Sequence, residues 1–185
     1  MDASRIARVV VKDGSGAWLR IGSGYRVSST AILTAAHVLG DAKSESVEVS
    51  LDVGGDGEWT SPVLDLWTSP GDADIGVVAI DATEDEGITP ALFGRVSRDR
   101  DAVLGFTAAG FPRWKLRDDD ESGPFRDLEQ AHGYVPVLSN RREGTLGLEL
   151  DGPPGRDPEP EHSPWEGMSG AAVLVGDRVV GIVAE

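Results

Sequence analysis

Short runs of apolar and often β-branched residues recur along this chain, separated by glycine and proline. Runs of this kind, broken by turn residues every 8–12 residues or so, are typical of an all-β barrel or sandwich. The 24 glycines and 11 prolines among 185 residues agree with a chain that turns often. We therefore predict an all-β fold, and the length suits one domain or two small lobes that share a core.

The predicted strands form two series, joined by a polar connection at about residues 86–100. We predict one domain over 1–185, with lobes at about 1–85 and 101–185. A helical turn is expected at 35–39, and charged or proline-rich loops at 113–133 and 151–164. The predicted strands are 6–12, 17–21, 22–27, 31–34, 47–51, 63–67, 75–80, 102–106, 108–111, 134–138, 145–150, 171–175 and 178–183.

Composition excludes several classes of protein. The formal net charge is −15, and such a surface repels phosphate backbones, so we expect no nucleic-acid partner. The chain has no cysteine, which removes disulfides and thiolate zinc sites and fits a reducing compartment. No stretch approaches the roughly 20 apolar residues that span a bilayer, and the first residues lack the apolar segment of a signal peptide. We expect a cytoplasmic protein that needs no membrane, metal or cofactor.

Three motifs carry chemistry. Ser169 lies between Gly167 and Gly170 in a segment whose glycines allow a tight turn, so that neighbouring N–H groups can converge on an oxyanion. His37 comes just after a predicted strand, in the expected helical turn, and Asp74 directly precedes another strand. We predict Ser169 as nucleophile, His37 as general base and Asp74 as the carboxylate that orients the imidazole. The N–H groups of Gly167 and Ser169 are the predicted oxyanion hole.

Each motif alone also fits an ordinary structural role. The segment around Ser169 suits a Gly-Ser turn between strands, and His37 suits a histidine with satisfied hydrogen bonds beside a core strand. Asp72 is a rival to Asp74, because an aspartate there can cap a turn. We favour Asp74 because it stands at the start of the apolar run.

The chain has two further histidines, His132 and His162. Both fall in charged or proline-rich segments, and we expect both side chains at the surface. His162 precedes Ser169 by seven residues, so contact with a substrate is still possible for it.

Together these motifs resemble the trypsin/chymotrypsin-like serine peptidases, and most closely their cysteine-free bacterial intracellular branch. The order His, Asp, Ser is the one found in the chymotrypsin barrels. The resemblance implies two six-stranded antiparallel β-barrels with the triad in the cleft between them. It also implies hydrolysis of a peptide or protein substrate through a serine acyl-enzyme. The matching segments are 22–27, 31–39, 74–78, 110–112, 167–171 and 180–183.

Three departures from the family pattern affect mechanism. Met168 stands where secreted trypsins carry an aspartate that pairs with a freshly cleaved N-terminus, so we do not expect activation by such cleavage. Ala171 stands where family members more often have glycine, and the start of a strand tolerates an alanine there. Family members continue for another strand and a terminal helix beyond 180–183, so we expect a truncated second barrel. The chain would then be the N-terminal protease module of a larger bacterial protein, with further domains or a regulatory partner.

The resemblance also suggests substrate-binding residues. Counting back from Ser169 places Ser163 at the base of the specificity pocket and Glu166 beside the oxyanion hole. Val183 and Ala184 fall in the segment that pairs with the substrate backbone.

The sequence also bears on two other functions. An inactive or partner-activated peptidase-like module that binds proteins is the main alternative, motivated by Met168 and the short C-terminal end. An α/β-hydrolase is excluded because that fold places its histidine after the nucleophile, and no histidine follows Ser169.

Overall fold

A computed structural model describes residues 1–55, 58–81, 88–99, 101–117, 124–155 and 161–184. The predicted loop 113–133 includes four consecutive acidic residues, 118–121, and these lie outside the described ranges. Short 3₁₀ turns occupy Ala3–Arg5, Ser44–Ser46 and Arg113–Lys115. The α-helix α1 is Ala36–Leu39, and the strands are β1 Ile6–Lys12, β2 Trp18–Ser28, β3 Ala31–Thr34, β4 Val47–Leu51, β5 Trp59–Ser61, β6 Val63–Thr68, β7 Gly76–Ile80, β8 Leu92–Phe93, β9 Val103–Gly110, β10 Leu116–Arg117, β11 Phe125–Arg126, β12 Glu129–Pro136, β13 Glu149–Leu150, β14 Ala172–Val175 and β15 Arg178–Ile182.

The first sheet has seven strands in the order β5-β4-β1-β2-β3-β7-β6. Its neighbouring strands are antiparallel. The two edge strands, β5 and β6, are separated in sequence by Pro62 alone, so the sheet curls and its edges return toward each other. Val9, Val49 and Val78 are fully buried inside the curl. Burying side chains of this size stabilises the fold by about 1.5–3 kcal/mol each.

The second sheet has six strands in the order β13-β12-β9-β14-β15-β8. Its long central pair, β9 and β12, is antiparallel, whereas β8 pairs with β15 in parallel. Phe106, Val135 and Val173 belong to its buried cluster. A separate cluster joins Tyr25 of β2 to Leu174 of β14, so apolar contacts pack the two sheets together.

The prediction of a mostly β fold is confirmed, and its details need correction. The sheets have seven and six strands where six and six were expected, and one pairing is parallel. Strand β8 lies inside the segment predicted as the connection, and β5 was not predicted. The predicted loop 113–133 contains β10, β11 and the first part of β12.

Glycine explains one wrong boundary. The sequence suggested two strands, 17–21 and 22–27, but the structure forms a single strand, β2. Gly22 and Gly24 do not turn the chain there. A Cβ at Gly22 would lie 2.6 Å from Val38, and a Cβ at Gly24 would lie 2.6 Å from Ile32. These glycines therefore allow close packing within a continuous strand.

In the described ranges, no helix has the length and apolar character needed to cross a bilayer.

Candidate active site

His37 and Asp74 form a closely bonded pair. The Asp74 carboxylate accepts two hydrogen bonds from His37, one from the backbone N–H at 2.8 Å and one from the imidazole Nδ1 at 2.5 Å. The backbone carbonyl of Asp74 also accepts the N–H of Ala36 at 3.3 Å. Because Nδ1 faces the carboxylate, Nε2 is left as the ring nitrogen available to a third group. The His37 side chain is 48% exposed, so a substrate can reach it.

The loop before β7 holds Asp74 in this position. Ser69 donates its hydroxyl to the carbonyl of Ala73, and its own N–H bonds the carbonyl of Ile75 at 2.8 Å. The residues on both sides of Asp74 are therefore tied to the end of β6. This arrangement favours Asp74 over Asp72, because Asp74 is the aspartate that contacts the imidazole.

The Ser169 segment forms a tight turn between two glycines with positive φ. Gly167 has φ +98° and Gly170 has φ +90°, a region that residues with a Cβ rarely adopt. Met168 between Gly167 and Ser169 is buried in the second core. The Met168 N–H donates to the carbonyl of Trp165 at 2.9 Å, and the N–H of Ala171 donates to the carbonyl of Met168 at 2.9 Å. The turn is therefore fixed from inside the second sheet.

The first sheet packs directly on this turn. The N–H of Ser23 bonds the carbonyl of Ser169 at 2.8 Å. A Cβ at Gly170 would lie 2.3 Å from Thr34 Oγ1 and 2.9 Å from the nitrogen of Ala35. Ser169 is thus held against the segment that leads into His37. No hydrogen bond joins the Ser169 hydroxyl to His37 in the described parts of the chain.

Two N–H groups of the turn have no acceptor. Within the residues that the structure describes, neither Gly167 nor Ser169 donates its backbone N–H, although the N–H groups of Met168 and Gly170 are both bonded. Buried backbone donors are normally paired, so two free donors on either side of one residue require explanation. Two such donors are what a developing oxyanion needs.

Ser23 is a residue of this site that the sequence did not identify. It is fully buried, and its hydroxyl donates to the carbonyl of Gly167 at 2.6 Å and accepts the N–H of Phe111 at 3.0 Å. A buried hydroxyl satisfied on both sides orders the groups it joins. No sequence signal points to this role, because a serine between glycines in a strand has many uses.

The predicted substrate-binding residues lie around the same turn. Glu166 precedes Gly167, and its carboxylate contacts the guanidinium of Arg126 at 3.0 Å. Ser163 is exposed, and its carbonyl accepts the N–H of Glu166 at 3.0 Å. Both backbone polar groups of Val183 are engaged with the start of β14, whereas Ala184 is exposed.

The remaining histidines are exposed, as expected. His132 lies on β12 of the second sheet, 3.6 Å from Asp151, and His162 lies 3.4 Å from Glu166. His162 is therefore a neighbour of the turn that carries Ser169. In the described segments, no group of three or more His, Asp or Glu side chains is placed to hold a metal ion.

Comparison with known proteins agrees with the architecture. The family model for a trypsin-like peptidase domain matches residues 22–182. The structure is similar to the inactivated protease paralogue S-I1 of the scabies mite, with a TM-score of 0.68 and 19% identity over 100% of this chain and 85% of the mite protein. It is also similar to the mite's inactivated protease paralogue S-D1, with a TM-score of 0.66 and 11% identity over 98% of this chain and 81% of that protein. At these identities, the likeness shows a chymotrypsin-like fold and nothing about activity. No curated protein matches the sequence.

Proposed function

Because this chain belongs to the family of trypsin-like peptidase domains, we propose that it is a serine endopeptidase. In this proposal Ser169 is the nucleophile, His37 the general base and Asp74 the group that orients the imidazole. The two curled sheets act as the two barrels of the fold, with the substrate bound between them. Peptides or proteins are the proposed substrates, and the cytoplasm is the proposed location.

One observation supports this proposal above the others. The N–H groups of Gly167 and Ser169 are left without acceptors in the described structure, while the donors between and after them are bonded. If the turn had only a structural role, pairing these two N–H groups would make the fold more stable, since an unpaired buried donor costs about 1–3 kcal/mol. An oxyanion between them supplies the missing acceptor during the reaction.

The proposed reaction follows from this geometry. His37 Nε2 takes the proton of the Ser169 hydroxyl as Oγ attacks the scissile carbonyl carbon, and the carbonyl oxygen becomes an anion held by the two N–H groups. The imidazolium gives that proton to the leaving amine, the C–N bond breaks, and an ester to Ser169 remains. Water then repeats the sequence, with His37 as base, and releases the acid. Asp74 stabilises the imidazolium through Nδ1–H in both halves.

Fluorophosphonate labelling and peptide hydrolysis test the proposal. The wild-type chain is expected to be labelled once and to cleave a peptide library, and Ser169→Ala to lose both, with kcat falling by about 10⁶-fold. Ser139→Ala, an exposed serine on another loop, is the matched control and should behave as wild type. Labelling that survives in Ser169→Ala, or a wild-type protein that neither labels nor cleaves, contradicts the proposal.

A protein-binding module without catalysis is the second candidate. The missing hydrogen bond between the Ser169 hydroxyl and His37, within the described residues, favours it, and both mite proteins are described as inactivated proteases. This candidate predicts that Ser169→Ala leaves partner binding unchanged and that the wild type stays unlabelled even with a partner bound. Labelling of the wild type at Ser169 decides against it.

A further inference from the structure

Arg126 is a buried cation next to the Ser169 turn that the proposed mechanism has not used. Its side chain is 7% exposed, and it lies on β11, the second strand of the two-stranded sheet with β10. Burying a guanidinium is costly unless it is paired and hydrogen-bonded. Glu166, which directly precedes Gly167, provides both the charge and the hydrogen-bond acceptors that Arg126 needs.

Both terminal nitrogens of the Arg126 guanidinium, Nη1 and Nη2, bond Glu166, and they bond different parts of it. Nη1 donates to the backbone carbonyl at 3.0 Å, and Nη2 donates to the carboxylate at 3.0 Å. The same carbonyl accepts the N–H of Arg113 at 2.7 Å, and the carboxylate also lies 3.7 Å from the Arg113 guanidinium. The Glu166 carbonyl is thus held by two donors on one side of the turn.

The direction of this carbonyl determines the direction of the Gly167 N–H. In a trans peptide the C=O of one residue and the N–H of the next point to opposite sides, and the described peptide bonds are all trans. With the Glu166 carbonyl drawn toward Arg113 and Arg126, the Gly167 N–H must point away from both. That is the side on which it has no acceptor in the described structure.

The contacts around Gly167 leave no room for a side chain at this position. A Cβ there would lie 2.4 Å from Arg126 Nη1 and 2.4 Å from the carbonyl oxygen of Phe111. The carbonyl of Gly167 is fixed separately by the Ser23 hydroxyl. The peptide planes on both sides of Gly167 are therefore anchored, one by Arg126 with Arg113 and the other by Ser23.

We propose that Arg126 and Glu166 are positioning residues that keep the Gly167 N–H directed into the oxyanion hole. The inference rests on the proposed function, because an oxyanion hole has meaning only for that reaction. Met168 is apolar and buried, so no ion pair at that position fixes the turn. The Arg126–Glu166 pair supplies an ionic anchor one residue before Gly167. It therefore assigns Glu166 a role within the protein in place of the predicted contact with substrate.

Arg126→Met and Glu166→Gln test the proposal in the full chain. Arg126→Met removes both hydrogen bonds and is expected to lower kcat by up to about 10²–10³-fold, the loss typical of one oxyanion-hole donor. KM should stay unchanged, because the donor acts on the transition state. Glu166→Gln keeps an acceptor but loses the charge, so its kcat should fall less. Arg8→Met, which removes a partly buried arginine from the first sheet, is the control and should keep wild-type kcat.

Two resonances separate positioning from unfolding. The proton of His37 Nδ1 reports the bonded pair with Asp74, and it should be unchanged in Arg126→Met. The amide resonance of Gly167 should shift or broaden in Arg126→Met and stay in place in Arg8→Met. If Arg126→Met does not fold, Glu166→Ala, at a partly exposed position, takes its place in the same measurements.

The possible results distinguish the two proposals. A wild-type chain without Ser169-dependent hydrolysis overturns the proposed function, and the Gly167 resonance then still decides whether Arg126 orients the peptide. Wild-type hydrolysis together with full kcat in Arg126→Met and Glu166→Gln overturns the positioning role alone. An unmoved Gly167 resonance in Arg126→Met overturns it as well.

Discussion

The acid–base pair comes from the first sheet and the serine turn from the second, and different kinds of contact hold the two. His37 and Asp74 are fixed by each other and by the ends of β3, β6 and β7, all within one sheet. The turn around Ser169 is fixed by Arg126 from a separate hairpin, by Arg113, and by Ser23 from the opposite sheet. The first region is self-contained, and the second depends on distant segments.

This difference has a physical basis. Orienting an imidazole needs one carboxylate, which a single loop can supply. The turn around Ser169 has two N–H groups without acceptors, and a rotation of their peptide planes would let them find partners. The carbonyls on the same peptides must therefore be bonded strongly enough to prevent that rotation. The backbone N–H of Arg113 and the guanidinium of Arg126 provide these bonds to the Glu166 carbonyl, and the N–H of Ala171 provides one to the Met168 carbonyl. Substitutions of His37 or Asp74 themselves should therefore act on chemistry alone, whereas substitutions of the groups that anchor the turn should act on chemistry and stability together.

Among the substitutions that compare the two regions, the largest effect is expected from Asp74→Asn. The amide cannot stabilise a protonated His37 and selects the wrong tautomer, so kcat should fall by about 10⁴-fold. Because the loop is tied separately by Ser69, the thermal midpoint should change little. Asp72→Asn is the paired control and should keep wild-type kcat. Equal losses in both variants would show that the acid has been misassigned.

The next effect is expected from Gly167→Ala in the second region. A Cβ there meets the Phe111 carbonyl and Arg126 at 2.4 Å, on a residue with φ +98°. We expect urea denaturation to show a loss of at least about 1–2 kcal/mol, together with a drop in kcat of roughly 100-fold. Gly176→Ala, also at positive φ but in open space, should lose stability without losing kcat. If Gly167→Ala keeps full activity, the turn is less constrained than its contacts imply.

A smaller effect is expected from Ser23→Ala. The change leaves the buried carbonyl of Gly167 and the N–H of Phe111 without their partner, which costs about 1–3 kcal/mol of unfolding free energy. Activity should also fall, because one anchor of Gly167 is lost. Ser61→Ala removes a hydroxyl that is buried as well but remote from the turn, and only stability should respond. Unchanged activity in Ser23→Ala would weaken the contrast between the regions.

The smallest effect is expected from Arg20→Met. Arg20 donates to the carbonyl of Leu39 at 2.8 Å, at the end of the short helix that carries His37. Losing one partly exposed hydrogen bond should cost about 0.5–1.5 kcal/mol and leave kcat close to wild type, because Asp74 still holds the imidazole. A large fall in kcat would mean that the first region also relies on outside support.

The sequence predicted the first region better than the second. The strands β1 and β4 were predicted with the bounds observed, because both are short valine-rich runs between polar or turn residues. The proximity of His37 and Asp74 followed from their places at strand ends. Strands β10 and β11 have two residues each and no apolar period, so the segment with Arg126 was predicted as a loop. The pairing of Arg126 with Glu166 depends on tertiary structure, and local sequence patterns do not reveal it.

A last consequence concerns a protein cut between its sheets. Ser23 belongs to the first sheet, yet its hydroxyl and N–H donate to the carbonyls of Gly167 and Ser169, in the turn that leads into the second. A C-terminal fragment would hold the nucleophile without the groups that shape its surroundings, and an N-terminal fragment would hold the base without a target. Only reassembly of the two fragments would restore the arrangement. The active conformation therefore requires contact between the two halves, and neither half adopts it alone.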